Sequence, residues 1–136
     1  MCSSDLTAVG FDYNRVTMLL AILERRLGMD FGAYDAYVNV VGGMRVTEPA
    51  ADLAVAAALV SSYRNRPIPH GVLVMGEVGL TGEVRRIGSP ERRIKDAMNL
   101  GFKRFVLPMG KLSLDEPCNG IVQVKTLEEA LDKVFA

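Results

Sequence analysis

The stretch VTEPAADLAVAAALVSS, Val46 to Ser62, is where chemistry should be sought first. A short turn and a proline lead directly into an alanine-rich helix. The first N–H groups of a helix are unpaired and its dipole end is positive, so such an opening favours a nucleophile or an anion. The residues there are Pro49, Ala50 and Ala51, and none of them can attack a carbonyl. The opening has the layout of a catalytic turn without a catalyst.

Other candidates are weaker. His70, the sole histidine, sits in the turn PIPHG with no acidic or cysteine neighbour, and reads as a surface residue. Gly76, Gly79 and Gly82 recur at three-residue spacing between two strands, whereas phosphate-cradling loops join a strand to a helix. Turn-forming glycine is the better account. Glu77 and Glu83 bracket this hairpin turn, but strand geometry does not decide whether they meet as an acid–base pair. No residues have metal-ligand spacing.

Charge is distributed unevenly. Gly82 to Arg104 holds Arg85, Arg86, Arg92, Arg93, Lys95, Lys103 and Arg104 against Glu83, Glu91 and Asp96, a net of +4. From Lys111 onward three basic residues face five acidic ones, a net of −2. A solvated helix face is the usual meaning of such a run, and phosphate binding is the sharper one. The candidate contacts are Arg85, Arg86, Arg92, Arg93 and Lys95. Strand alternation sends Arg85 and Arg86 to opposite faces, so one of them joins the basic face of the next helix. On that helix Arg92 and Lys95 share a face, Arg93 flanks it, and Ile94, Ala97 and Met98 form the apolar stripe.

The elements that must position these side chains follow from periodicity. Val16, Leu19, Leu20, Leu23 and Leu27 make a helical stripe stopped by Gly28. A strand over Tyr37–Val40 ends at Gly42-Gly43 and resumes at Met44–Val46 beyond a bend. A helix runs from about Pro49 to Tyr63, capped by Thr47 or Glu48, with Ala54, Ala57 and Ala58 against a sheet. Val72–Val78 and Glu83–Ile87 form a hairpin about a Gly79–Gly82 turn. Ser89 caps a helix that Gly101 stops; KRFVLP and GIVQVK are strands; TLEEALDKVF is a closing capped helix. The order α, β, α, β, β, α, β, β, α gives an α+β or α/β layer sandwich, with helices on a mixed sheet.

Bulk properties fit this. The chain has 136 residues, 49% hydrophobic and 24% charged, enough for a hydrophobic core. Sixteen basic residues balance sixteen acidic ones, so net charge points to no partner. Cys2 and Cys118 have neither zinc spacing nor a disulfide framework, which favours a reducing, cytoplasmic setting. No apolar run approaches the ~20 residues of a membrane span, so no membrane partner is expected. MCSSDL lacks the features of a signal peptide. Residues 1–10 are expected to be a non-native or disordered leader, and residues 11–136 a domain cut from a longer protein.

GGMRVTEPAADLAVAAALVSS, GEVGLTGEVRRIG and LGFKRFVLP, with the spacing between them, resemble the proteolytic domain of the Lon family. They more closely resemble the Lon-like C-terminal domain of RadA-type (Sms) bacterial DNA repair proteins. The similarity runs from about Phe11 to Phe135. It implies an α+β fold, a mixed β-sheet with packed helices of the Lon proteolytic-domain type (ribosomal protein S5 domain 2-like). Active Lon-type proteases carry Pro-Ser-Ala-Gly at this helix opening. Pro49 and Ala51 match it, Ala50 stands at the serine, and Asp52 stands at the glycine, where its charge would block the oxyanion position. Counting from Ile87-Gly88, the catalytic lysine position holds Glu91. Both halves of the Ser–Lys dyad are absent, and losing the nucleophile alone costs about a million-fold in turnover. Lys95, one turn beyond Glu91, has no serine to serve.

The resemblance also implies a parent with a four-cysteine zinc finger and a RecA-like ATPase core, using ATP, magnesium and zinc that this segment does not itself bind. Such parents are DNA-dependent ATPases with helicase-type activity that process branched intermediates in recombinational repair. The implied partners are duplex or branched DNA and further copies of the chain in a homo-oligomeric, hexameric ring. Three functions follow as expectations: a non-catalytic scaffold that contacts DNA, a pure oligomerisation module, or a Lon-type serine peptidase with an altered dyad.

Overall fold

A computed structural model describes residues 6–136. The chain divides into two compact units, one ending at Glu48 and the other running from Pro49 to Ala136.

In the first unit, strand β1 (Leu6–Val9) leads into helix α1 (Tyr13–Leu27) and strand β2 (Ala36–Asn39). β1 and β2 pair in parallel, Leu6 opposite Ala36 and Val9 opposite Asn39. β1 was not expected: it occupies the second half of the proposed leader, whose first five residues lie outside the described ones. LTAV is too short for alternation to distinguish a strand from a loop. α1 begins where the Asp12 carboxylate accepts from the Asn14 N–H at 2.8 Å, and ends at left-handed Gly28, whose N–H reaches the Glu24 carbonyl at 3.1 Å. Its buried stripe is Val16, Leu19, Ile22 and Leu23, with Leu20 and Leu27 at the margins. The strand expected at Met44–Val46 reduces to one parallel bridge between Phe11 and Val46, because a tight turn over Val41–Gly43 intervenes.

The second unit opens with a 3-10 turn, Pro49–Ala51, which tightens into helix α2 (Asp52–Arg64). Strand β3 (Val72–Val74) joins a parallel three-stranded sheet with β6 (Arg104–Pro108) and β7 (Ile121–Val124), in the order β3-β6-β7. β4 (Glu77–Val78) and β5 (Val84–Arg85) make a small antiparallel hairpin. Helix α3 (Pro90–Asn99) precedes β6, and helix α4 (Leu127–Phe135) follows β7. The α+β class read from the sequence is borne out, with the strands of the described residues in three small sheets. The long first hairpin strand expected over Val72–Val78 divides at Met75-Gly76, where the backbone turns to hold the start of α2.

Central strand β6 explains its own composition. Phe105, Val106 and Leu107 are all buried, as a parallel strand covered on both faces requires. Phe105 and Leu107 pack with Ile94 and Ala97 of α3 and with Met75, and Met98 packs against that cluster. The stripe expected on α3 is therefore borne out. α4 buries Leu127, Ala130, Leu131 and Val134, and the Thr126 hydroxyl caps it by accepting from the Glu129 N–H at 3.2 Å. Glu129 returns the favour on the Lys125 N–H at 3.1 Å.

Three local expectations are corrected. α2 buries Leu53, Ala56, Ala57 and Val60, while Ala58 is exposed and Ala54 half-buried. The helix is rotated by about one residue from the expected face, because Leu53 and Val60 bring more apolar area than any alanine pair. Neither Thr47 nor Glu48 is the cap of α2, whose N-cap position is held by Ala51 without a side-chain cap bond. Nor does Ser89 cap α3 through its hydroxyl. Its backbone is left-handed, φ 51° and ψ 53°, rather than in the extended conformation that aims a cap at the first-turn N–H groups.

Candidate functional site

The position that the Lon resemblance aligns with a serine nucleophile is sealed. Ala50 is 3% exposed. Its carbonyl accepts from the Gly76 N–H at 2.8 Å, and the Gly76 carbonyl accepts from the Leu53 N–H at 3.0 Å. Gly76 thus clamps the helix opening from both sides. A side chain there would force its neighbours to shift: a Cβ would lie 2.8 Å from Val84 Cγ1 and 3.3 Å from Leu53 Cδ2. Next along the chain, Asp52 is wholly buried, the one charged side chain buried to that degree among the described residues. Its Oδ2 accepts from the Val78 N–H at 3.2 Å, so the carboxylate ties the start of α2 to β4. The sequence marked Asp52 as an obstacle; the fold uses it as a brace.

The hairpin is held from its other side as well. Val84 donates to the Lys125 carbonyl and Leu127 to the Gly82 carbonyl, both at 2.8 Å. At its tip the Gly82 N–H reaches the Gly79 carbonyl at 2.9 Å, with Gly82 at φ 82°, so the expected glycine turn is borne out. Glu83 stands in this turn. Desolvation pushes its carboxyl up, but hydrogen bonds from Thr81 and from its own backbone, with the Arg85 charge, together hold it below the usual glutamate range. Glu77, opposite Arg85 in register, does not join Glu83 in any acid–base pair among the described contacts.

The five basic candidates separate into two groups. Arg85 is exposed and pairs with Glu83 at 3.6 Å. Arg93 donates through Nε to the Gly88 carbonyl at 2.7 Å and so staples the loop before α3. Arg86, Arg92 and Lys95 are exposed, and no ion pair among the described residues engages them. Arg92 and Lys95 lie three apart on α3, on the side away from buried Ile94 and Ala97.

Glu91, which the Lon resemblance aligns with a catalytic lysine, is half-buried in a cleft of about 280 Å³ shared with Arg86, Ile87, Leu107, Met109 and Lys111. Ala50 is not among its walls. Sequence reasoning missed Lys111, which stands twenty residues beyond Glu91 and lines the same cleft only because the chain turns at the end of β6. Among the described residues no three His, Cys, Asp or Glu side chains gather as metal ligands, and no helix is long and apolar enough to cross a membrane.

Residues 6–111 match the family model described as subunit ChlI of Mg-chelatase. The chain belongs to that family. It is 48% identical over 128 residues to the DNA repair protein RadA of Pseudomonas aeruginosa, covering 93% of this chain and 28% of that protein. It is 44% identical over 132 residues to the DNA repair protein RadA of Escherichia coli, covering 96% and 29%. With the protein of the same name from Streptococcus pneumoniae it shares 41% over 133 residues, covering 96% and 31%. The resemblance to the Lon-like region of RadA proteins is thereby borne out, and the chain spans less than a third of each of these relatives' length.

Proposed function

We propose that this chain is a non-catalytic, DNA-contacting scaffold domain of a RadA-like protein that acts in recombinational DNA repair in the cytoplasm. The observation that carries the reading is the pairing of a sealed, nucleophile-free helix opening with exposed, unpaired Arg86, Arg92 and Lys95. Alanine offers no attacking atom, and a glutamate supplies no amine to activate one. Cations that are not neutralised within the protein can instead displace counterions from phosphates. Such contacts are independent of base sequence and grow with the number of copies, so a homo-oligomeric, hexameric ring on duplex or branched DNA suits them. The ATP, magnesium and zinc chemistry belongs to other parts of the parent, and this segment positions DNA for it.

The test is the salt dependence of duplex binding by the assembled protein. Each phosphate neutralised contributes about 0.9 to the slope of log K against log salt. Replacing Arg92 and Lys95 by alanine should weaken binding alike for unrelated sequences and flatten the slope, with folding preserved. An unchanged slope rejects the reading.

Assembly without DNA contact is a second reading. It draws support from the outer face of the β1–β2 pair, where Val9 and Tyr37 are 54% and 72% exposed. Parallel strands usually have both faces covered.

A further inference from the structure

The cleft beside α3 has a composition that the phosphate-contacting surface does not explain. Its apolar walls include Ile87, Leu107 and Met109, and its polar heads are Arg86, Lys111 and Glu91. No ion pair or hydrogen bond among the described residues engages those three heads. The wall carrying Lys111 is anchored: Gln123 Nε2 donates to the Gly110 carbonyl at 2.7 Å, and Met109 N–H donates to the Val124 carbonyl at 3.1 Å. Arg86 leaves the hairpin that α2 and α4 both hold. The cleft is therefore preformed, and its volume of about 280 Å³ lies just below the ~300 Å³ at which small-ligand sites usually begin.

Each part selects a chemistry. Two cations ask for an anion with several oxygens, and a phosphate meets both. A lone carboxylate in the same space accepts only from N–H or O–H donors, and repels a surface of carbonyl oxygens. Apolar walls favour a flat ring stripped of water. One nucleotide combines all three.

We propose that this cleft holds a single unstacked nucleotide of a DNA strand, its phosphate at Arg86 and Lys111 and an amino-bearing base, cytosine, adenine or guanine, at Glu91. The proposal rests on the DNA-contacting reading above and adds a base preference that phosphate contacts alone cannot give. A glutamate accepts from the exocyclic amine of cytosine, adenine or guanine, whereas thymine has no such amine, puts the acceptor O4 there and leaves only its ring N3–H to donate. The residue that the Lon resemblance aligns with a catalytic lysine becomes a reader of the base edge.

The experiment titrates dCMP, dTMP and deoxycytidine into the isotope-labelled chain and follows backbone amide shifts. Expected are shifts around Glu91 and Met109–Leu112, with dCMP bound about tenfold more tightly than dTMP, the discrimination of one good base contact. Deoxycytidine, lacking the phosphate, should bind more weakly than dCMP, and Lys111→Ala should narrow that gap. Glu91→Gln, which offers a donor as well as an acceptor, should bring dTMP level with dCMP while the chain remains folded. Equal binding of dCMP and dTMP to the wild type overturns the proposal, as do shifts that avoid the cleft. So does occupation of the cleft by an acetylated dipeptide carboxylate in place of dCMP. Duplex binding by the same sample separates the two readings: if it persists while dCMP fails, only the cleft assignment falls; if both fail, the DNA reading falls too.

Discussion

The buried carboxylate of Asp52 accepts a hydrogen bond from the backbone N–H of Val78, 3.2 Å away, at the place where an active Lon-type turn would have a glycine. The contact joins the first turn of α2 to the hairpin that leads to Arg86. Asp52→Ala should leave the Val78 N–H buried without that acceptor and cost about 1–3 kcal/mol. A shift of the urea midpoint at constant m-value is the measurement, and an unmoved midpoint removes Asp52 as a brace.

Restoring the dyad should not restore peptidase activity. Ala50→Ser with Glu91→Lys would place a hydroxyl at a position 3% exposed, with its carbonyl held by Gly76 and Asp52 still beside it. Turnover of casein by the wild type or by this double variant should stay at the buffer rate. Activity that survives repurification and disappears with Lys95→Ala would contradict the sealed geometry.

α2 offers a test of register. Ala57 is buried and Ala58 exposed, so Ala57→Leu should overpack the core and cost about 1–3 kcal/mol. Ala58→Leu should change stability by no more than about 0.5 kcal/mol. Thermal unfolding of the pair decides, and equal effects would mean that the helix is rotated from the position described.

Among the basic residues, those already engaged should contribute least to DNA binding. Arg93→Ala removes the bond to the Gly88 carbonyl and should lower stability by about 0.5–1.5 kcal/mol, with a smaller change in salt slope than the Arg92/Lys95 double variant. Arg85, paired with Glu83, should behave alike in binding. A slope that falls equally for every arginine would show that the staples are surrendered to phosphate.

Glu83 gives a pH dependence with a definite sign. Its carboxyl lies below the usual range despite desolvation, because Thr81, its own backbone and Arg85 favour the charged form. The stabilisation is then complete above the unfolded-state value, about 4.3, and is lost as pH falls through the lower folded value. Protection of the Gly79–Gly82 amides should drop over that acid range in the wild type and stay level in Glu83→Gln. Parallel behaviour of the two proteins would remove Glu83 from the turn's energetics.

Much of this was legible in the chain by itself. The helix α3 was readable because Ile94, Ala97 and Met98 recur at helical spacing against a polar remainder. The glycine turn of the hairpin was marked by Gly79 and Gly82: few other residues accept the positive φ of Gly82, and a Cβ on Gly79 would run into the Glu83 side chain. What the tertiary structure decided were relations between segments that local spacing cannot encode. β1 is four residues long and becomes a strand only beside Ala36–Asn39. The alanines of α2 are nearly equivalent in sequence, so the packing of Leu53 and Val60 selected which of them face inward. Arg93 was one basic residue among five until the Gly88 carbonyl came within reach, and Lys111 joined Glu91 in lining one cleft only through the turn after β6. Side-chain type determines which charges and apolar surfaces exist; long-range closure of the backbone determines which are neutralised, which are buried, and which remain available to a ligand.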